Sequence, residues 1–249
     1  MPAGAPQAGQ TSRRRLAVIG WPLRHTYSPP IQSAALAALG LEATYEAIEV
    51  APAGLAEFLR GLRGSEWLGA NVTVPHKEAV LPSMDEISEE TRAIGAANTI
   101  VNRDGRLAAY NTDAQAFVQD LESELGDVAG RDVVILGAGG AARAVCFALA
   151  PVAGRILVWN RHPERALSLI EHFGQRLEQA TQSDLSNARL LINCTSAGLK
   201  PEESPIPDEW VPEGADLYDL IYNPATTRLA RAVQAKGGRG ANGLGMLVR

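Results

Sequence analysis

Apolar positions along this chain fall in short continuous runs, separated by longer stretches with helical spacing. Leu16–Gly20 reads as a buried strand. Over Ser28–Gly40, Ile31, Ala35, Leu36 and Leu39 share one helix face. Ser28 can cap that helix, Pro29 and Pro30 suit its first turn, and Gly40 ends it. The pattern continues with strands over Tyr45–Val50, Leu68–Val74, Thr99–Asn102 and Leu107–Tyr110, and helices over Leu55–Leu62 and Glu86–Ile94. A long helix over Asp113–Leu125 precedes Asp132–Leu136, the unbroken apolar run of a strand covered on both faces. A helix to Ala150, a strand at Arg155–Trp159 and a helix over Pro163–Phe173 follow. Arg189–Asn193 and Leu217–Leu220 read as strands, and Thr226–Lys236 as the last full helix. The proline-rich Glu202–Glu213 reads as loop. This alternation predicts an α/β fold of two domains. We place the boundary near residue 112, with 1–112 plus 239–249 as one domain and 113–238 as the other.

Composition narrows the function. The 249 residues carry a net charge of −5, which offers no basic field for nucleic acid or for an anionic membrane surface. Two cysteines, Cys146 and Cys194, make no disulfide framework and suit a reducing, cytoplasmic setting. Cys146 reads as core and Cys194 as buried or merely reactive. No Cys/His cluster has metal-ligand spacing, so no metal is expected. The first 15 residues lack the apolar centre of a signal peptide and read as a loose tail. Only three of the 23 basic residues are Lys: Lys77, Lys200 and Lys236. Each is informative, because a lysine can be tuned to give up its proton and an arginine cannot.

The strand over 132–136 runs directly into Gly137-Ala138-Gly139-Gly140-Ala141-Ala142. Gly137, Gly139 and Ala142 satisfy the G-x-G-x-x-[G/A] spacing of a dinucleotide turn. The first allows the tight turn, the second a close approach of pyrophosphate, and the third close packing of helix on sheet. The next strand ends in Trp159-Asn160-Arg161, with Arg165 one turn on. An NAD site usually puts a carboxylate there for the ribose 2′-hydroxyl. Asn160, Arg161 and Arg165 instead suit a 2′-phosphate, so NADP is the expected cofactor, and only the neighbouring Glu164 points the other way.

Polar clusters stand at other strand ends: Gly20 to Pro29, Asn71 to Lys77, Gly95 to Thr99, and Asn111-Thr112-Asp113. Together with the Asn160-Arg161, Asn193 to Gly198, Tyr222 to Pro224 and Gly243 to Leu247 segments, they resemble the shikimate dehydrogenase family (shikimate/quinate dehydrogenases) in order and over nearly the whole chain. The resemblance implies an α/β substrate-binding domain and a Rossmann-like NADP-binding domain with a cleft between them. It implies reversible NADP-dependent reduction of 3-dehydroshikimate to shikimate, in chorismate and aromatic amino-acid biosynthesis. It makes Lys77 and Asp113 the catalytic pair, and Thr26, Ser28, Thr73, Asn98 and Tyr222 substrate contacts. On the cofactor side it adds Thr195, Leu220, Gly243, Met246 and Glu89 to Gly137, Ala138, Gly139, Gly140 and Ala141. His76 is a rival acid/base by residue type, but its position varies in the family; His25 reads as a structural hydrogen-bonder.

Two departures stand out. Thr26 replaces the usual Ser, adding a methyl group that opens the choice between shikimate and quinate, and Ala116 replaces a usual Gly. In the family the segment from Gly243 opens a C-terminal helix whose substrate-contacting Gln would follow Arg249. The resemblance therefore implies a chain short of one or more helices, with weaker substrate binding. The other readings are an NAD-preferring quinate/shikimate dehydrogenase and a non-catalytic ligand sensor of the same fold. The expected partners are small molecules, for a monomer or homodimer.

Overall fold

A computed structural model describes residues 14–23 and 26–249. The described strands form two six-stranded sheets. The first contains β1 (Arg14–Gly20), β2 (Ala43–Glu49), β3 (Trp67–Val72), β4 (Glu86–Ile87), β5 (Thr99–Arg103) and β6 (Arg106–Tyr110), in the order β2-β1-β3-β5-β6-β4. The helices α1 (Ser28–Ala38), α2 (Leu55–Gly61) and α3 (Glu89–Ile94) accompany it. β1 pairs in parallel with β2 and β3, whereas β5 runs antiparallel to β3 and β6. The β5–β6 hairpin turns on Asp104-Gly105, both at positive φ, a sequence suited to a two-residue turn.

The second sheet is parallel throughout: β12-β11-β10-β7-β8-β9. Its strands are β7 (Val133–Leu136), β8 (Ile156–Trp159), β9 (Leu177–Gln179), β10 (Leu190–Asn193), β11 (Asp216–Asp219) and β12 (Gly240–Asn242). α4 (Asp113–Leu125) leads in from the first lobe, followed by α5 (Gly140–Leu149), α6 (Pro163–Phe173), α7 (Gln182–Asn187), α8 (Arg228–Ala235) and α9 (Leu244–Val248). The unbroken apolar run of β7 has a direct cause. Val133 and Ile135 pack with Phe117, Val145 and Leu169 on one face, while Val134 and Leu136 pack with Leu185, Leu229 and Val233 on the other.

Several elements differ from the sequence reading. Arg14 and Arg15 belong to β1 rather than to a tail; Arg15 reaches Glu46 at 3.3 Å and lies over the Trp67 ring. The expected helix at Glu86–Ile94 begins at Glu89, because Ser88 caps it through the Thr91 N–H and Glu86–Ile87 pairs with β6. The strands β9 and β12 and the helix α7 are additional. β12 pairs with β11 and α9 packs against α4, so residues 240–248 join the second lobe, where the sequence had assigned them to the first. Among the described residues, no helix is long and apolar enough to cross a membrane.

Candidate active site

The chain leaves β7 toward β8 on one side and later returns to place β10 on the other. A crevice therefore opens at the carboxyl ends of β7 and β10. Gly137 has φ +112°, a value that favours glycine, and a Cβ there would lie 3.0 Å from Thr195 Cγ2. Gly139 is different: its φ is −99° and a Cβ would meet nothing within 4 Å. No packing within the chain requires glycine there, and the open space suits an approaching pyrophosphate. No side chain caps α5 at Gly139, so the first N–H groups of Gly140, Ala141 and Ala142 have no intrahelical partner. The residues present thus fit a dinucleotide phosphate. Gly140 faces the other lobe, where a Cβ would come within 2.6 Å of Lys77 Cβ.

At the end of β8, the Asn160 side-chain amide donates to the His162 carbonyl at 2.9 Å. Arg161 and Arg165 are exposed, and neither pairs with a carboxylate among the described residues. Glu164 lies 3.7 Å from His162 Nδ1.

Lys77 sits in the turn after β3, where its carbonyl accepts from Ala97 N–H at 2.7 Å. Its Nζ donates to Asp113 Oδ2 at 2.6 Å, with 15% and 12% of the two side chains exposed. The pair is sheltered but reachable. Asp113 opens α4, and its backbone N–H is fixed by the buried Asn111 side chain. Asn98 Nδ2 donates to Asp113 Oδ1 at 2.9 Å and to Thr112 Oγ1 at 2.8 Å. From Asn98 a polar chain crosses the sheet. Thr99 Oγ1 donates to Asn98 Oδ1, Asn71 Nδ2 to Thr99 Oγ1, and Tyr45 OH to Asn71 Oδ1 at 2.6 Å. Ser28, whose hydroxyl accepts from Thr26 Oγ1 at 3.0 Å, lies near the Tyr45 end of this chain. Burial pushes the Tyr45 phenol pKa up, which keeps it a donor.

The structure therefore joins Asn98, Lys77 and Asp113 into one network reaching Tyr45, while Thr26 and Ser28 bond to each other close to its far end. Asn71, Thr99 and Asn111, which fall in the polar clusters read from sequence without a role of their own, supply its links together with Tyr45, which lies outside those clusters. Tyr45 reads as a core aromatic on a strand; its phenolic OH was the one available signal. Thr73 lies against Gly20 at the end of β1. Tyr222, beyond β11, meets Tyr27 of the first lobe with ring centroids 5.3 Å apart. Thr195 donates through N–H and Oγ1 to Asn193 Oδ1, at 3.0 and 2.7 Å. Leu220 N–H donates to the Asn193 carbonyl, Gly243 packs on the Leu220 carbonyl, and Met246 borders the same core. Glu89 stands apart, exposed in the first turn of α3, where an acidic residue suits the helix dipole. His76 is buried with Nε2–H donating to the Val50 carbonyl at 2.6 Å, so its ring is occupied structurally. His25 lies outside the described residues. Cys146 is core and Cys194 sits beside Gly137; burial pushes both thiols up. Among the described residues, no group of three or more His, Cys, Asp or Glu could hold a metal ion.

One further buried group escaped the sequence reading. Asp219, at the end of β11, accepts from Asn193 Nδ2 at 2.9 Å, Ile221 N–H at 3.1 Å and Thr227 Oγ1 at 2.7 Å. Burial outweighs these bonds and pushes its carboxyl up to about 6. Through Asn193, Asp219 ties the loop after β10 to the loop after β11.

Fold and site together define a two-lobed α/β protein with a dinucleotide turn facing a Lys–Asp pair across a cleft. Residues 18–100 match the family model described as shikimate dehydrogenase substrate binding domain, and 119–200 the model described as shikimate/quinate 5-dehydrogenase. The shikimate dehydrogenase (NADP(+)) of Moorella thermoacetica is 44% identical over 94% of this chain and 83% of its own length. The shikimate dehydrogenase structure from Aquifex aeolicus superposes with a TM-score of 0.87 at 34% identity, covering 95% of this chain and 89% of that one. The Thermus thermophilus enzyme, solved in complex with NADP(H) and shikimate, gives 0.83 at 43% identity, covering 94% and 88%. The chain belongs to the shikimate dehydrogenase family.

Proposed function

We propose that this chain is an NADP-dependent oxidoreductase that interconverts 3-dehydroshikimate and shikimate. The observation that carries the reading is the Lys77–Asp113 pair, 2.6 Å apart and braced by Asn98, set directly against the dinucleotide turn at Gly140. NADPH, when bound, supplies the hydride. Lys77 Nζ has three donors and Asp113 takes one, so the ammonium can also donate to a ketone oxygen and pass it a proton as the alcohol forms. Asp113 orients Nζ, and Asn98 holds Asp113. In this reading Thr26 and Ser28 bind the substrate carboxylate, with Thr73, Asn98 and Tyr222 around the ring. Gly137 to Ala141 receive the pyrophosphate, and Asn160, Arg161 and Arg165 the 2′-phosphate. Thr195, Leu220, Gly243 and Met246 flank the nicotinamide, with Glu89 at the margin.

Within this proposal, residues up to about 112 bind substrate, residues 113–238 bind cofactor, and 240–248 extend the cofactor lobe. The small, soluble substrates and the cysteine usage fit a cytoplasmic place in chorismate biosynthesis, for a monomer or homodimer. The test is steady-state turnover of purified protein with shikimate and NADP(+), with quinate and NAD(+) as paired controls. Shikimate with NADP(+) is expected to give the highest kcat/KM; preference for quinate or NAD(+) overturns the assignment. Arg161→Ala is expected to raise KM for NADPH far more than for NADH.

A further inference from the structure

Lys77 is followed immediately by Glu78, and Glu78 is held by the other lobe. Arg143, in the first turns of α5, donates its Nε–H to Glu78 Oε2 at 2.9 Å. The Arg143 side chain is only 13% exposed, unlike an arginine pairing freely in solvent. The surroundings are tight. A Cβ on Gly95 would lie 2.9 Å from an Arg143 guanidinium nitrogen and 3.1 Å from the His172 ring. His172 Nε2–H donates to the Ala93 carbonyl at 2.8 Å. Beneath these contacts, Ile94 and Ala96 of the first lobe pack with Ala114 and Ala144 in one buried cluster. The catalytic segment thus meets α5 at consecutive residues: Lys77 Cβ sits against Gly140, and Glu78 is gripped by Arg143.

We propose that Arg143 is a positioning residue: by holding Glu78 it fixes the distance between Lys77 and the dinucleotide turn at the start of α5. The proposal rests on the reading of Lys77 as the proton donor. Its physical basis is the steep dependence of rate on alignment, in which a displacement of about 1 Å can cost on the order of 10²-fold. An ordinary surface ion pair adds little stability and has no kinetic signature. A guanidinium that touched the cofactor would act on cofactor affinity instead.

The experiment compares Arg143→Gln, Glu78→Gln and Arg143→Lys with the parent enzyme, measuring kcat, both KM values and Tm. Backbone hydrogen exchange over residues 74–97 is measured without ligand. Both Gln variants are expected to lower kcat by roughly 10-fold or more, with each KM changed less than about 3-fold and Tm nearly constant. Exchange over 74–97 should quicken in both, and Arg143→Lys should recover part of the rate. A higher KM for NADPH at unchanged kcat in Arg143→Gln overturns the proposal in favour of a cofactor contact. Impairment in Arg143→Gln but not in Glu78→Gln overturns it too, as does an unchanged kcat in both. An inactive parent enzyme refutes the functional reading alone, because exchange around Lys77 in the variants still decides whether the clasp holds that segment.

Discussion

In the proposed mechanism Lys77 is the proton donor, and its surroundings say what its loss should do. Its ammonium and Asp113 are held by the fold rather than by a ligand, so binding surfaces survive when the amine is removed. Lys77→Ala is expected to reduce kcat by ~10²–10⁴-fold with a modest change in KM. Steady-state kinetics checks this, and unchanged turnover contradicts the mechanism. Asp219 makes a separate prediction about stability. Its carboxyl stands at about 6, against the ordinary 3.8, because it is buried. The folded protein therefore holds this proton more tightly than the unfolded chain, and the stability it contributes is lost as pH rises from about 4 through about 6. At neutral pH the charged form costs on the order of 3 kcal/mol. Asp219→Asn keeps the shape, an acceptor for Asn193 and Ile221, and a donor for Thr227. Urea denaturation should find the variant at least as stable as the parent at pH 7, with its lead shrinking toward pH 4. A lead that grows on acidification contradicts the assignment.

At the scale of elements, the first two glycines of the β7–α5 turn, Gly137 and Gly139, serve different ends. Gly137 is required by backbone conformation and by Thr195 and Cys194 close by, whereas Gly139 is required by nothing within the chain. Gly137→Ala should therefore lower Tm by several degrees, with a stability loss of roughly 1 kcal/mol or more. Gly139→Ala should leave Tm intact but weaken NADPH binding, because its methyl group would occupy the phosphate space. Thermal melts with NADPH titrations separate the two. This turn was legible in the sequence because β7 is covered on both faces, which leaves an unbroken apolar run ending at the glycines. The network from Tyr45 to Asp113 was only half legible. Its Asn98–Asp113 end stands in loops at strand termini, where polar residues are conspicuous, but Tyr45 at the other end looks like any strand aromatic. β12 was hidden for another reason: Gly240-Ala241-Asn242 carries almost no side chain to pattern, and its place is set by backbone pairing with β11. Ser88, by contrast, is a readable cap signal, and it starts the helix at Glu89 rather than at Glu86.

At the scale of the molecule, two cores of separate sheets meet near α3 and α5, and the cleft lies between them. A second contact spans the lobes at Tyr27 and Tyr222, with ring planes tilted by 37°. Tyr27 stands between Thr26 and Ser28, and Tyr222 follows the loop that Asp219 anchors. In the proposed reading, substrate is held by the first lobe and cofactor by the second, so both can favour the same interlobe geometry, in which this aromatic pair is stabilising. The two ligands should then bind cooperatively, and linkage requires each to tighten the other by the same factor. An aromatic pair contributes ~0.5–1.5 kcal/mol beyond its buried area, which corresponds to roughly 2- to 10-fold in that factor. Tyr27→Ala is therefore expected to leave the Kd of NADP(+) alone unchanged, because Tyr27 belongs to the other lobe, while cutting the enhancement of NADP(+) binding by saturating shikimate by about that amount. Calorimetric titration of NADP(+), with and without shikimate, measures both quantities. An undiminished enhancement in the variant would show that the lobes are coupled through the α3–α5 contact alone.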